Sequence, residues 1–208
     1  MDFKIFNNKI KILLSKKWSI LILIFILGFI IGSLMKSDVF FIKKHLLSSN
    51  TDNIKLCFTP PSGCGDLVIE EIKNARHDLF MQAYVLTHQG IIDAILYAHN
   101  NGVKINILLD YKSYRSNIKG YKLLKSKNIN ISFDKMNGLA HNKVIIIDKE
   151  KVITGSFNFS HAADTRNAEN LVIINDKKIA EAFLNNWIER KIVSAQQLSK
   201  MIKDGKHK

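Results

Sequence analysis

The amino-acid sequence predicts an α/β domain in which helices pack as layers against a mixed β-sheet. From residue 54 onward, short runs rich in Val, Ile, Leu and Phe alternate with segments whose apolar residues recur every three or four positions. Chains that alternate strands with helices in this way fold into layers. The length of 208 residues is enough for one well-buried domain, and no internal repeat divides the chain.

The first 35 residues predict an export signal or a membrane anchor. Residues 1–17 hold five lysines against one aspartate, and residues 18–35 hold no charged side chain. A basic start followed by an apolar segment is typical of a secretory signal, although this segment is intermediate in length between a signal core and a full membrane span. We therefore expect an exported protein, secreted or periplasmic, or alternatively one anchored through residues 18–35. Residues 36–53 are polar and are predicted to form a linker.

The folded domain is predicted to span residues 54–192, and a polar, lysine-rich tail to follow at 193–208. Besides the strands of the motif described below, the predicted strands cover residues 54–58, 79–87, 103–110, 129–133 and 169–174. The first predicted helix begins near residues 63–66 and runs to about 77. Two further helices are predicted over residues 91–99 and 121–127, and a last one, with a core-facing apolar stripe, begins at about residue 176. Residues 111–120 are predicted to be an exposed, basic, irregular segment.

Charge and cysteine content restrict the partners and the compartment. The net charge of +13 favours an anionic partner, such as nucleic acid, anionic lipid or a phosphate ester, although most of the excess is lysine spread along the chain. The two cysteines, Cys57 and Cys64, have no neighbouring ligands at zinc spacing, so we expect no structural metal. In an exported protein they can form a disulfide; two free thiols are the alternative.

One apolar stretch carries polar residues that a core does not tolerate without partners. His141 and Lys143 lie two residues apart, as do Ser156 and Asn158, so each pair shares one face of a strand. A buried cation and imidazole require a partner, and a phosphate fits, because lysine supplies charge and the other two residues supply neutral donors. Asp148 is an odd number of positions from Lys143, so on an unbroken strand its side chain faces away from that of Lys143. It is predicted to support the site indirectly, or to be structural.

Together with Gly155 these residues fill the pattern H-x-K-x4-D-x6-G-S-x-N without a gap. The pattern resembles the HKD motif of the phospholipase D superfamily, and the resemblance extends roughly over residues 57–187. It is greatest to short bacterial members with one motif per chain, among them a periplasmic Nuc-type endonuclease and secreted phospholipases D. The resemblance implies an α-β-α sandwich with a mixed sheet, and makes residues 54–192 a catalytic domain.

The resemblance also implies phosphodiester hydrolysis through a covalent phosphohistidine on His141. Lys143, Ser156 and Asn158 are expected to bind the phosphate, and Glu169 matches the position of the family's orienting glutamate, which places it in the catalytic set with His141, Lys143 and Asp148. The leaving alkoxide needs a proton, yet the chain holds one motif. We therefore predict a homodimer with the active site on its two-fold axis, where two copies of His141 share the work. No metal and no other cofactor is expected.

The motif leaves the substrate open. A phospholipase D that cleaves phosphatidylcholine-type lipids at a membrane surface is the first hypothesis, and a metal-independent, nonspecific endonuclease is the alternative. Both need the same catalytic residues, so the choice depends on the rim of the site, for which residues 110–120 are the candidate. A non-catalytic anion-binding module would require a degenerate motif, and no position here is degenerate.

Overall fold

The computed structural model describes residues 23–29, 50–51 and 53–205. The described residues fall in two units, Met1–Leu47 and Ser48–Lys208. In the first unit, residues 23–29 form a helix, α1, with exposed side chains. Among the described residues, no helix combines the length and the apolar character needed to cross a bilayer. The rest of the predicted signal or anchor, and residues 36–49 of the predicted linker, lie outside the described residues.

The second unit contains eight described strands and five described helices. The strands are β1 (Asn50–Thr51), β2 (Ile54–Thr59), β3 (Asp78–Ala83), β4 (Lys104–Asp110), β5 (Asn130–Asp134), β6 (Lys143–Ile147), β7 (Lys151–Gly155) and β8 (Glu169–Asn175). The helices are α2 (Cys64–Lys73), α3 (Gln89–Asn100), α4 (Tyr114–Ser126), α5 (His161–Thr165) and α6 (Lys177–Lys203).

All eight strands form one mixed sheet in the order β1-β2-β8-β7-β6-β3-β4-β5. The strands β3, β4 and β5 are parallel, while β6 runs antiparallel to β3 and continues antiparallel through β7, β8 and β2. The carboxyl ends of β3, β4, β5 and β7 therefore meet the amino ends of β6 and β8 at one edge of the sheet. We call this edge the site edge, and its predicted catalytic residues are described below.

Helices cover both faces of the sheet, which confirms the predicted α-β-α sandwich. On one face, the main core joins apolar residues of α2, α3, α4 and α5 to alternate strand residues such as Met81, Ile107 and Ile145, all three nearly inaccessible. On the other face, a smaller core joins Ala180 and Trp187 of α6 to the strands. The indole N–H of Trp187 donates to the carbonyl of Met81 at 2.9 Å and fixes α6 across the sheet.

Helix α6 corrects the predicted boundary at residue 192. The helix continues to Lys203, and Ser194 within this extension is buried. The Ser194 hydroxyl donates to Asp134 at 2.6 Å and accepts from the backbone N–H of Lys135 at 3.1 Å. Arg190 pairs with the same carboxylate of Asp134. The first part of the predicted tail is therefore an ordered part of the domain that ties α6 to the end of β5.

Helix α4 and strands β1 and β3 are three further corrections. Residues 111–120 were predicted to be irregular, but helix α4 already begins at Tyr114. Gly120, which weakens a helical pattern, is needed there: a Cβ at this position would lie 3.0 Å from Ile92 and 3.1 Å from the carbonyl oxygen of Leu86. Asn50–Thr51, in the predicted linker, pairs with β2. The strand predicted over 79–87 ends at Ala83.

The two cysteines form a disulfide, so the free-thiol alternative is wrong. It joins Cys57 of β2 to Cys64 at the start of α2. Nearby, Asp164 of α5 accepts from the backbone N–H groups of Gly63 and Gly65, and His88 lies 3.9 Å from the same carboxylate. These contacts fix the loop before α2 against α3 and α5.

Candidate active site

The motif residues converge where three antiparallel strands meet the site edge. Lys143 is the first residue of β6, Gly155 is the last of β7 and Glu169 is the first of β8. The register that pairs Val144 with Thr154 sets Lys143 opposite Gly155. Because neighbouring antiparallel strands place such ends side by side, residues separated by almost thirty positions in sequence come together.

The centre of the site is a lysine held against a histidine. Lys143 is 6% exposed, and its Nζ lies 3.1 Å from Nδ1 of His141 and 2.7 Å from the carbonyl oxygen of the same residue. Burial lowers the pKa of Lys143 below its ordinary value of 10.5, and the negative charge of Glu169 opposes this shift only in part. The cation is thus poorly solvated and has neutral partners at close range, which favours an anionic ligand.

Ser156 and Glu169 form a second polar group across β7 and β8. The Ser156 hydroxyl donates to one Glu169 oxygen at 2.6 Å, and the Asn167 amide donates to the other at 3.0 Å. The Ser156 hydroxyl also accepts from the backbone N–H of Asn170 at 3.0 Å. The side-chain bonds of Glu169 within the described residues therefore go to Ser156 and Asn167, and those of His141 go to Lys143; the predicted orienting bond between His141 and Glu169 is not formed.

Gly155 makes the close approach of β7 and β8 feasible. Its φ of 143° lies in the region that favours glycine, and a Cβ there would collide with the carbonyl oxygen of Asn170. The backbone N–H of Ser156 donates to that same oxygen at 3.1 Å. The glycine of the motif therefore positions the serine that follows it.

Asn158 has an unsatisfied polar atom. Its side-chain oxygen is buried and has no hydrogen-bond partner among the described residues. Its neighbours Phe157 and Phe159 are each 1% exposed in the main core, so the backbone on both sides of Asn158 is anchored. A polar atom held in this way is ready for a ligand group, and a half-turn of the amide would present its N–H2 instead.

Asp148 lies at the opposite edge of the sheet. Strand β6 separates it from Lys143, at about 3.3 Å per residue. Its carboxylate accepts from the backbone N–H groups of Arg76, His77 and Asp78 at 2.7–3.2 Å, and its φ of 54° belongs to the turn between β6 and β7. Asp148 therefore holds the loop before β3 and lies away from Lys143, and its indirect or structural role stays a prediction.

Tyr84 is a site residue that sequence reasoning missed. Its ring centroid lies 4.5 Å from that of His141, and the Lys143 ammonium lies 5.2 Å from the centre of the Tyr84 ring. The backbone N–H of Tyr84 donates to Asn142. Tyr84 follows β3, the strand that pairs with β6, so knowing that pairing would have identified it; its local sequence, a run of apolar residues, gave no signal.

The sequence and the fold match known proteins. A protein-family model described as a cardiolipin synthase, PLD-like domain, matches residues 68–191. A phospholipase D of Rickettsia prowazekii is 40% identical over 186 residues, which cover 82% of this chain and 91% of that protein. A phospholipase D of Rickettsia bellii is 42% identical, covering 85% of this chain and 96% of that one.

A solved structure gives the same picture at the level of the fold. The crystal structure of Nuc from Salmonella typhimurium, described as a phospholipase D family member, superposes with a TM-score of 0.64 at 35% identity. The match covers 66% of this chain and 92% of Nuc.

Proposed function

The chain belongs to the PLD-like family and is a phosphodiesterase, a phosphoric diester hydrolase, and from this premise we propose that it is a phospholipase D that hydrolyses phosphatidylcholine-type lipids to phosphatidic acid and the head-group alcohol. The observation that carries the proposal is the buried ammonium of Lys143, held 3.1 Å from Nδ1 of His141. A phosphate-binding cation and an imidazole nucleophile occupy one edge of the sheet. The relatives named phospholipase D, matched over nearly their whole length, support the lipid substrate.

The reaction takes place in two displacements. The Nε2 atom of His141 attacks phosphorus, a P–N bond forms and the P–O bond to the head-group alcohol breaks. The alcohol leaves with a proton from a second imidazole, which then takes a proton from water as that water breaks the P–N bond. Lys143 neutralises the charge that develops on the phosphoryl oxygens, with Ser156 and Asn158 as neutral partners.

Binding of the phosphate prepares His141 for attack. An ammonium only donates hydrogen bonds, so its contact with Nδ1 leaves the proton of a neutral imidazole on Nε2, which is the wrong nitrogen for attack through Nε2. A phosphate oxygen that takes over the Lys143 hydrogen bond frees Nδ1 to carry the proton. The Glu169 carboxylate, held in the free site by Ser156 and Asn167, is then the acceptor that orients the ring.

The second imidazole comes from a second copy of the chain. Within the described part of the chain, His141 is the imidazole in contact with Lys143, and a two-fold axis at the site edge brings in its counterpart. To test this, wild-type and His141→Ala chains are co-expressed in varied ratios. A shared site makes activity fall with the square of the wild-type fraction; a linear fall contradicts the homodimeric site.

The substrate is tested by choline release from phosphatidylcholine vesicles in the presence of EDTA. His141→Ala should abolish release. The matched control is His77→Ala, an exposed histidine beside Asp148 at the opposite edge of the sheet, and it should keep full activity. Release that persists undiminished in His141→Ala removes His141 as the nucleophile.

A nonspecific endonuclease is the second candidate, favoured by the net charge of +13 and the likeness to Nuc. If folded wild-type protein releases no choline but nicks plasmid DNA in a His141-dependent manner, the nuclease is the correct function. The phosphohistidine chemistry would be unchanged, because both substrates are phosphodiesters.

We also propose that residues 1–35 direct export, with cleavage or retention as an anchor as the two outcomes. The disulfide between Cys57 and Cys64 supports an oxidising compartment. Fractionation followed by N-terminal sequencing of the mature protein tests this: an uncleaved chain in the cytoplasm would contradict export.

A further inference from the structure

Helix α4 and its flanking loops carry uncompensated positive charge. The segment from residue 111 to residue 133 contains six basic residues and no acidic residue. All six are exposed, and none has an ion-pair partner among the described residues. They are Lys112, Arg115, Lys119, Lys122, Lys125 and Lys127. By contrast, helix α6, which also has six basic residues, includes the acidic residues Glu181 and Glu189.

Apolar side chains are exposed beside these charges. Tyr114 and Leu123 of α4 are 39% and 37% exposed, and Leu139, in the loop that leads to His141, is 46% exposed. Lys112 joins this loop to α4, because its ammonium donates to the carbonyl of Asn137 at 2.5 Å. A cavity of about 550 Å³ opens on the same surface. Its lining residues are Tyr111, Lys112, Tyr114, Arg115, Tyr121 and Phe133. We call the six basic residues, Tyr114, Leu123 and Leu139 the α4 surface.

Buried polar contacts connect the α4 surface rigidly to the catalytic residues. Asp110, 1% exposed, accepts from the backbone N–H of Ser113 at 2.7 Å and from that of Ala140, the neighbour of His141, at 2.8 Å. Asn117, fully buried in α4, donates to the carbonyl of Tyr84 at 3.0 Å, and the Tyr84 ring packs on His141. A ligand held by the α4 surface is therefore held in a fixed position relative to His141.

We propose that the α4 surface docks on an anionic phospholipid bilayer and brings the start of α4, which follows the carboxyl end of β4 at the site edge, to the head-group layer. The inference rests on the proposed phospholipase activity and identifies the surface on which that activity operates. Basic side chains next to an anionic bilayer each raise partitioning by about five-fold, and exposed Leu and Tyr insert among the head groups. Six exposed basic residues that have no ion-pair partner in the described part of the chain, together with three exposed apolar side chains, match both requirements.

The arrangement of the rings favours lipid over nucleic acid. Single strands bind where aromatic faces are free for bases to stack on them. Here Tyr114 packs edge-on against Tyr121 and Phe133, with interplanar angles of 69° and 73° and centroids 5.6 Å and 5.5 Å apart. Tyr114 is held in this edge-to-face cluster, while Leu123 and Leu139 supply apolar contact that a base edge cannot use.

The test measures flotation of the full chain with phosphatidylcholine vesicles that contain rising fractions of phosphatidylglycerol. A triple variant, Lys119→Gln with Lys122→Gln and Lys125→Gln, is compared with a matched triple of exposed α6 lysines, Lys178→Gln with Lys200→Gln and Lys203→Gln. Both remove the same charge, and residues 1–35 contribute equally to each. We expect the α4 triple to lose about 100-fold in partitioning at high anionic fraction, and the α6 triple to lose much less.

A second variant and a second readout make the result decisive. Leu123→Gln with Leu139→Gln keeps every charge and should also weaken flotation. Hydrolysis of a soluble short-chain phosphatidylcholine measures the catalytic rate of each variant without a bilayer. If no variant hydrolyses this substrate, the phospholipase proposal fails, and flotation still measures docking independently. Equal losses for the two lysine triples, flotation independent of phosphatidylglycerol, or an α4 triple that loses plasmid binding but keeps flotation would each overturn docking.

Discussion

Replacing Asp148 should lower stability and leave the chemistry intact. Its carboxylate accepts three backbone N–H groups, those of Arg76, His77 and Asp78. Hydrogen bonds to a charged group contribute about 1.5–3 kcal/mol each, but two of these donors are exposed and regain water, so we expect a loss of about 2–4 kcal/mol. Alanine at a φ of 54° adds about 1 kcal/mol of strain. Asp148→Asn keeps an acceptor and tolerates this φ, so its loss should be about half that of Asp148→Ala.

The assay separates stability from catalysis. Urea unfolding at neutral pH gives the free energy of unfolding, and kcat/KM is measured well below the melting temperature on a soluble phosphodiester. Both variants should retain activity within a few-fold of wild type, because Asp148 lies a whole strand away from Lys143. A variant that unfolds like wild type but loses activity by about 100-fold would refute the structural role argued for this residue.

Three further predictions concern the frame of the site. Ser194→Ala should lower the free energy of unfolding by about 1–3 kcal/mol, because it leaves the backbone N–H of Lys135 without its acceptor and removes one hydrogen bond from Asp134, which keeps Arg190. The exposed Ser199→Ala on the same helix should change it by less than about 0.5 kcal/mol, and equal effects would contradict an ordered helix end. Burial raises the pKa of Glu71, but its ion pairs with Lys151 and Lys55 lower this pKa by more, so that it lies below the ordinary value of 4.5. The stability that the ionised Glu71 contributes is therefore full above pH 4.5 and is lost as the pH falls through the folded-state pKa. Glu71→Gln should flatten the acid limb of the plot of unfolding free energy against pH, and an unchanged acid limb would argue against the two ion pairs. Gly155→Ala should lower stability and kcat/KM together, because its Cβ displaces Asn170 and with it Ser156; a variant with wild-type values of both would refute the close approach.

The sequence predicted the sandwich and the motif cluster because these depend on periodicity and on fixed spacing. Lys143 and Asp148 are an odd number of positions apart, which predicts that Asp148 faces away from the phosphate-binding side of the strand. The distance of Asp148 from the site follows from the length of β6. Tyr84 and Asn117 were not predicted, because their roles arise from strand order and from contacts between distant segments.

Two errors have a common physical cause. The sequence predicts a start of helix α4 that is too late and an end of helix α6 that is too early. Each segment lacks a continuous apolar stripe at the boundary where the prediction is wrong. In α4 the deficit reflects Gly120, which lets the helix pack closely on Ile92, and in α6 it reflects Ser194, which is buried through hydrogen bonds instead of apolar contact. Tertiary contacts of this kind leave no periodic trace in the sequence.

Among the described residues, the ammonium of Lys143 directly contacts no carboxylate, and the negative charge of Glu169 acts on it only from a greater distance. Lys143 is buried next to two neutral acceptors of His141, and its lowered pKa records the poor solvation of its ammonium. A phosphodiester supplies one anionic group at that position, so its binding relieves the burial of the cation and at the same time draws the ammonium away from Nδ1 of His141. Under the proposed phosphohistidine mechanism, recognition and activation are one event, because the ligand that neutralises Lys143 also frees His141, the proposed nucleophile. Since every phosphodiester satisfies this requirement, the motif does not discriminate between lipid and nucleic acid, and under the proposed docking this discrimination depends on the α4 surface.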